Sequence, residues 1–129
     1  MTSPDVPEAV WQFIAEKIDT VPQLEALLLL WENPNRAWTA GEMAQRIYVK
    51  PEAAAQILEA LQRRQLASAE GEEEVRYRYN PGWDTKGTLM AEVVRAYRRH
   101  LVPIATFIHS GASSSVREFA RAFNLKKER

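Results

Sequence analysis

Residues 39–79 read TAGEMAQRIYVKPEAAAQILEALQRRQLASAEGEEEVRYRY, and the rest of the chain is organised around them. Thr39 followed by Glu42 is a capping-box pattern: the Thr39 hydroxyl accepts a backbone N–H three residues on, and Glu42 reaches back to the N–H of Thr39. Met43, Ala44 and Ile47 then form a short apolar stripe, enough for about two helical turns. Pro51 suits the first turn of a second helix, where its missing N–H costs nothing. Ala54, Ile57, Leu58 and Leu61 recur at helical spacing and face a core, and Leu66 closes the helix against it. Leu66–Ser68 reads as a short strand, Glu70–Glu74 as a hairpin tip, and Val75–Tyr79 as the returning strand with period-2 alternation. Two short helices joined by a tight turn and followed by a hairpin are the expected product.

This stretch resembles the bacterial winged-helix transcription-regulator families of the MarR and ArsR type. The resemblance is carried by the spacing Ile57-Leu58, Leu61, Leu66, by the hairpin ending Tyr77-Arg78-Tyr79-Asn80-Pro81, and by the tyrosine-bearing amphipathic helix beyond; it covers roughly residues 20–108. It implies that the second helix of the motif enters the major groove, and that a dimer sets two such helices one turn of DNA apart. The candidate DNA contacts are Lys50, Gln56, Arg63, Arg64, Arg76 and Arg78.

Charge works against that use. The face of the second helix opposite its apolar stripe carries Glu52, Gln56, Glu59 and Arg63, and the hairpin tip carries Glu70, Glu72, Glu73 and Glu74. Affinity for duplex comes from Lys and Arg neutralising phosphates, so these carboxylates are unfavourable there. Formal net charge is zero over 129 residues, which removes any global drive toward nucleic acid or anionic lipid. Residues 1–80 hold 8 Lys and Arg against 13 Asp and Glu, and residues 81–129 hold 9 against 4, giving nets of −5 and +5. The acidic half contains the helix-turn-helix, the reverse of the usual distribution in a DNA-binding module.

The length suits about one domain with a single core. With no cysteine there is no disulfide framework, thiolate chemistry or cysteine-based zinc site, which fits a cytoplasmic protein. The start, MTSPDVPEAV, has no basic n-region or long apolar run, so no signal peptide is expected. Leu27–Trp31 is too short to span a bilayer.

Outside the central stretch, residues 1–19 are read as a frayed start and an amphipathic helix over Val6–Ile18, with Val10, Trp11, Ile14 and Ile18 on one side. Residues 20–80 form the winged unit. Thr20 and Gln23 make a second capping-box pattern, opening a helix with Leu24, Leu27, Leu28 and Trp31 on its apolar side. Asn33-Pro34-Asn35 ends that helix, and Arg36–Trp38 supplies a short strand to pair with the wing. Residues 81–110 follow Asn80-Pro81-Gly82 as one long helix from Asp84 or Thr85, kinked at Pro103. Its stripe is Leu89, Val93, Tyr97, Leu101, Ile104 and Ile108, with Arg95, Arg98 and Arg99 away from it. By the resemblance this helix pairs with its mate in a homodimer; the alternative is that its stripe covers its own winged unit. Residues 111–129 comprise a flexible GASSS joint and a basic amphipathic tail. In the tail Val116, Phe119, Ala120 and Phe123 are flanked by Arg117, Arg121, Lys126, Lys127 and Arg129. Such a segment presents Phe119 and Phe123 to a protein partner or a neighbouring subunit, or folds back on its own core; it is short for lying on anionic lipid.

No reaction chemistry emerges, and the chain reads as no enzyme and as needing no cofactor. Gly82-WDTK-Gly87-Thr88 has phosphate-loop glycine spacing without the lysine after the second glycine, so a turn before a helix is the better reading. His100 and His109 fall on opposite faces of a helix and cannot share a metal within it. Ser113–Ser115 have no adjacent histidine base. The glutamates of the hairpin tip lie in water, where acid–base chemistry finds no tuning. Trp11 and Trp31 fall on apolar helical faces and read as core, while Trp38 and Trp83 are undecided.

The expectation is therefore a mainly α chain with a small β wing: a winged helix-turn-helix with a long C-terminal helix and a tail helix. The first functional reading is a homodimeric winged-helix transcriptional regulator contacting double-stranded DNA through the 50–64 helix and the wing. The alternative is a winged-helix adaptor that does not bind DNA and holds a protein partner through its acidic face and basic tail.

Overall fold

The apolar spacing of residues 21–66 leaves little choice of secondary structure. In a computed structural model, which describes residues 5–110, the expected helices of this stretch are present, while the strand expected over 66–68 runs over Ala67–Glu70 and the one expected over 36–38 is a single bridge at Trp38. In order the elements are α1 (Glu8–Lys17), α2 (Val21–Glu32), α3 (Ala40–Ile47), α4 (Pro51–Arg63), β1 (Ala67–Glu70), β2 (Arg76–Tyr79), a 3-10 turn at Pro81–Asp84, α5 (Thr88–Arg99) and α6 (Leu101–His109). They form two compact units. One is Pro22–Lys86, and the other joins residues 5–21 to residues 87–110 among those described.

In the first unit, α3 begins at the expected cap. The Thr39 hydroxyl accepts from the Glu42 N–H at 3.1 Å, and the Glu42 carboxylate accepts from the Thr39 N–H at 3.0 Å, closing the box reciprocally. The helix ends at Tyr48, whose backbone is left-handed (φ 60°, ψ 48°) and whose N–H donates to the Ala44 carbonyl. Pro51 occupies the first turn of α4. Met43, Ala44 and Ile47 of α3 are buried, as are Ala54, Leu58 and Leu61 of α4, while Ile57 is half-buried. The two helices pack on each other. In α2 the buried set is broader than one stripe, because Gln23, Ala26 and Leu30 join Leu24, Leu27 and Leu28 in the interior. Trp31, expected in the core, is only half-buried.

After α4, Gln65 turns left-handed (φ 66°), held by a 2.7 Å hydrogen bond from the Asn80 side chain to its carbonyl. The chain then enters an antiparallel hairpin with Ala67 opposite Tyr79 and Glu70 opposite Arg76. Period 2 sends Tyr77 and Tyr79 inward and leaves Arg76 and Arg78 half-buried. Gly71 at the tip has φ 99° and a Cβ there would collide with the Glu74 carbonyl, so only glycine fits. Trp38 provides the expected extra pairing, exchanging two 2.8 Å backbone hydrogen bonds with Tyr77. Its side chain is fully buried.

In the second unit α5 packs on α1 and α6, and Trp11 meets the edge of Phe107 at 5.1 Å between ring centroids. Val10, Trp11, Ile14 and Ile18 are buried as expected, and Phe13 and Ala15 with them. The single long helix expected over 84–109 is corrected to three pieces. The 3-10 turn and a left-handed Gly87 (φ 72°) precede α5, and the helix then breaks completely at His100 (φ −129°, ψ 47°). Pro103 is the cause: it cannot donate to the Arg99 carbonyl and its ring clashes there, so the chain restarts with Pro103 in the first turn of α6. The tail at 111–129, with Phe119 and Phe123, lies outside the described residues.

Replacing Trp38 tests the packing. Trp38→Ala should cost about 3–5 kcal/mol in chemical denaturation. Trp38→Phe should cost clearly less, since it also removes an indole N–H buried without an acceptor among the described residues.

Candidate nucleic-acid interface

The exposed side of α4 lies opposite its buried stripe, and Glu52, Gln56, Glu59 and Arg63 are all exposed on it. Lys50, at the N-cap of α4, is exposed as well. Among the described residues neither Lys50 nor Arg63 is held by a carboxylate. Gln56 adds an amide that can both donate and accept, the property used to read base edges.

The other candidate cations are engaged. Arg64 donates to the buried Gln23 side chain at 3.3 Å and so ties α4 to α2. Arg76 reaches the Glu74 carboxylate at 3.0 Å, the Glu42 carboxylate at 3.4 Å and the Ala37 carbonyl at 3.4 Å. Arg78 lies 3.3 Å from Glu70 across the hairpin. Exposed pairs of this kind contribute at most about 1 kcal/mol to stability. Their electrostatic effect is more consequential, because each arginine faces solvent already matched with a carboxylate. The wing that looked acidic in sequence also neutralises its own cations.

Glu42 is the junction of this network. One of its oxygens, Oε1, receives the Thr39 N–H, the Arg76 guanidinium and, at 3.8 Å, the Arg36 guanidinium. The Thr39 hydrogen bond foremost, helped by Arg76 and Arg36 and opposed by partial burial, holds its carboxyl below the usual value of 4.5. Arg36 also stacks 3.6 Å over the Trp38 ring. Burial pushes the Tyr79 phenol up to about 12; the Asp84 carboxylate adds to the shift and the Trp83 side chain works against it.

The residues proposed for pairing copies are distributed differently from expectation. Val93, Tyr97 and Ile104 are buried within one copy and Leu89 is half-buried. Leu101 is 48% exposed and its neighbour Val102, which the stripe omitted, is 71% exposed. Tyr48 was also missed, at 92% exposure the most exposed large apolar side chain among the described residues. Nothing in its local pattern separates it from a core tyrosine.

No family model and no curated protein matches the chain. Solved structures do. A MarR family protein from Bacillus stearothermophilus is similar over 94% of this chain and 83% of its own, with 19% identity and a TM-score of 0.52. The YusO protein from Bacillus subtilis is similar over 92% and 85%, with 20% identity and a TM-score of 0.52. With the capped α3, the exposed α4 and the hairpin in place, these likenesses decide the architecture. The fold is a winged helix-turn-helix. Among the described residues of this winged helix, no helix is long and apolar enough to cross a membrane.

Glu42 offers a pH test. A carboxyl whose folded pKa is lowered stabilises the fold above its unfolded value, and the contribution disappears as pH falls through the folded value. Glu42→Gln should therefore lower Tm at neutral pH, and the gap to the unaltered chain should close below pH 4.5 in thermal melts.

Proposed function

We propose that the chain is a cytoplasmic winged-helix transcriptional regulator that acts as a homodimer and binds double-stranded DNA through α4. The observation that carries this reading is the presentation of α4. The helix is anchored on one face by Ala54, Leu58 and Leu61, and it offers Lys50, Gln56 and Arg63 on the other. A helix held this way can enter a major groove without rearranging the core. Support also comes from the fold shared with a MarR family protein. Arg76 and Arg78 join the contact when phosphates displace Glu42, Glu74 and Glu70, an exchange made cheap by the exposure of those pairs. Leu101 and Val102, exposed at the start of α6, supply apolar surface for a second copy.

The ion-paired wing favours a second reading, in which the winged helix has given up DNA. It would then act as an adaptor, binding a protein partner through Glu52, Glu59 and the glutamates of the hairpin, with the basic 116–129 tail as a second arm.

Fluorescence anisotropy with random duplex separates the two. Non-specific binding is strongest at low salt, so a regulator binds at ~10 mM salt and loses affinity steeply as salt rises. Arg63→Glu combined with Arg76→Glu should abolish that affinity. No binding by the unaltered chain at ~10 mM salt would favour the adaptor, and unchanged affinity in the double variant would move the contact off α4 and the wing.

A further inference from the structure

Tyr48 is an anomaly in the turn of the helix-turn-helix. It sits at φ 60°, a conformation that glycine or asparagine adopts readily and a bulky L-residue resists. Its side chain is 92% exposed and so contributes almost no burial in return. For the fold alone, glycine would serve this position better.

The neighbours of Tyr48 indicate a use for it. Arg46, in the last turn of α3, and Lys50, at the N-cap of α4, are both exposed, and neither is paired with a carboxylate among the described residues. Arg46 instead places its guanidinium 5.6 Å from the Trp38 ring centroid. The wing arginines Arg76 and Arg78 are matched with Glu42, Glu74 and Glu70. The uncommitted positive charge next to α4 therefore lies at the turn rather than on the hairpin. Phosphate oxygens are bound by Arg, Lys and Tyr side chains, and the turn offers one of each within five residues.

We infer that Arg46, Tyr48 and Lys50 form a ridge that grips the sugar–phosphate backbone of duplex DNA, with the Tyr48 hydroxyl donating to a phosphate oxygen. This rests on the DNA-binding reading of α4 and adds to it which edge of the unit is anchored. The turn adds positioning contacts to those the wing arginines make only after exchanging their glutamates. Because such contacts carry no base information, the ridge sets register and orientation and leaves discrimination to α4.

Duplex titrations of the full chain over a range of salt test the ridge. Tyr48→Gly should keep or raise Tm, since the left-handed backbone is relieved and no burial is lost. It should weaken duplex binding about fivefold, a loss of the order of one hydrogen bond. The slope of log K against log salt should stay unchanged, because no charge is removed. Tyr48→Phe should show most of the same loss. Arg46→Ala and Lys50→Ala should each reduce that slope by about one and weaken binding to all sequences alike. Binding that survives Tyr48→Gly, Arg46→Ala and Lys50→Ala intact would overturn the ridge while leaving the DNA reading standing. Tyr48→Phe behaving as the unaltered chain would overturn the hydroxyl contact. No duplex binding by the unaltered chain at ~10 mM salt would overturn both.

Discussion

Two backbone hydrogen bonds, each 2.8 Å, join Trp38 to Tyr77, and much of the winged unit depends on them. They tie the segment before α3 to the returning strand of the hairpin, 39 residues further on. With that link in place Trp38 is enclosed, and Thr39, the next residue, caps α3. The cap orients Glu42, which then meets Arg76 from β2. The local cap sets where α3 begins, and the tertiary pairing brings Arg76 of β2 to the carboxylate of that cap. A frame of this kind lets α4 remain fully exposed on one face, because the stability of the unit is supplied elsewhere.

The electrostatics follow from the same frame. Arg76 and Arg78 are held by glutamates from α3 and from the hairpin itself, so the wing shows little net attraction for phosphate despite its two arginines. Lys50 and Arg63 remain uncommitted at the two ends of α4, and Arg46 is exposed in the last turn of α3. A winged helix equipped in this way would place duplex against the turn and α4, with its acidic wing held off or admitted only after exchange of ion pairs. The same glutamates give the adaptor reading its physical basis. The balance between partners is set by Arg46, Lys50 and Arg63 against Glu52 and Glu59.

Local signals were enough to read the central elements in the sequence. The capping box at Thr39 and Glu42, Pro51 at the start of α4 and the alternation of β2 are each written within a few neighbouring residues, and each took the expected form. Features set by distant residues were not legible. The contact of Arg76 with Glu42, 34 positions away, and that of Arg64 with Gln23 are tertiary and leave no mark in local spacing. The helix break at His100 was displaced from its cause, since a proline disrupts the turn before it rather than its own position. Trp38 was undecided because its burial comes from the wing it pairs with. Tyr48 was passed over because no spacing rule encodes its exposure.

Amide chemical shifts of the isotope-labelled chain, followed while a short random duplex is added at low salt, test this account most directly. The central claim is that duplex docks on the α3–α4 turn and α4, with the wing tip electrostatically withdrawn. It predicts the largest shift changes across residues 46–63 and little change across residues 71–75. Changes concentrated in the hairpin with residues 46–63 unmoved would contradict it.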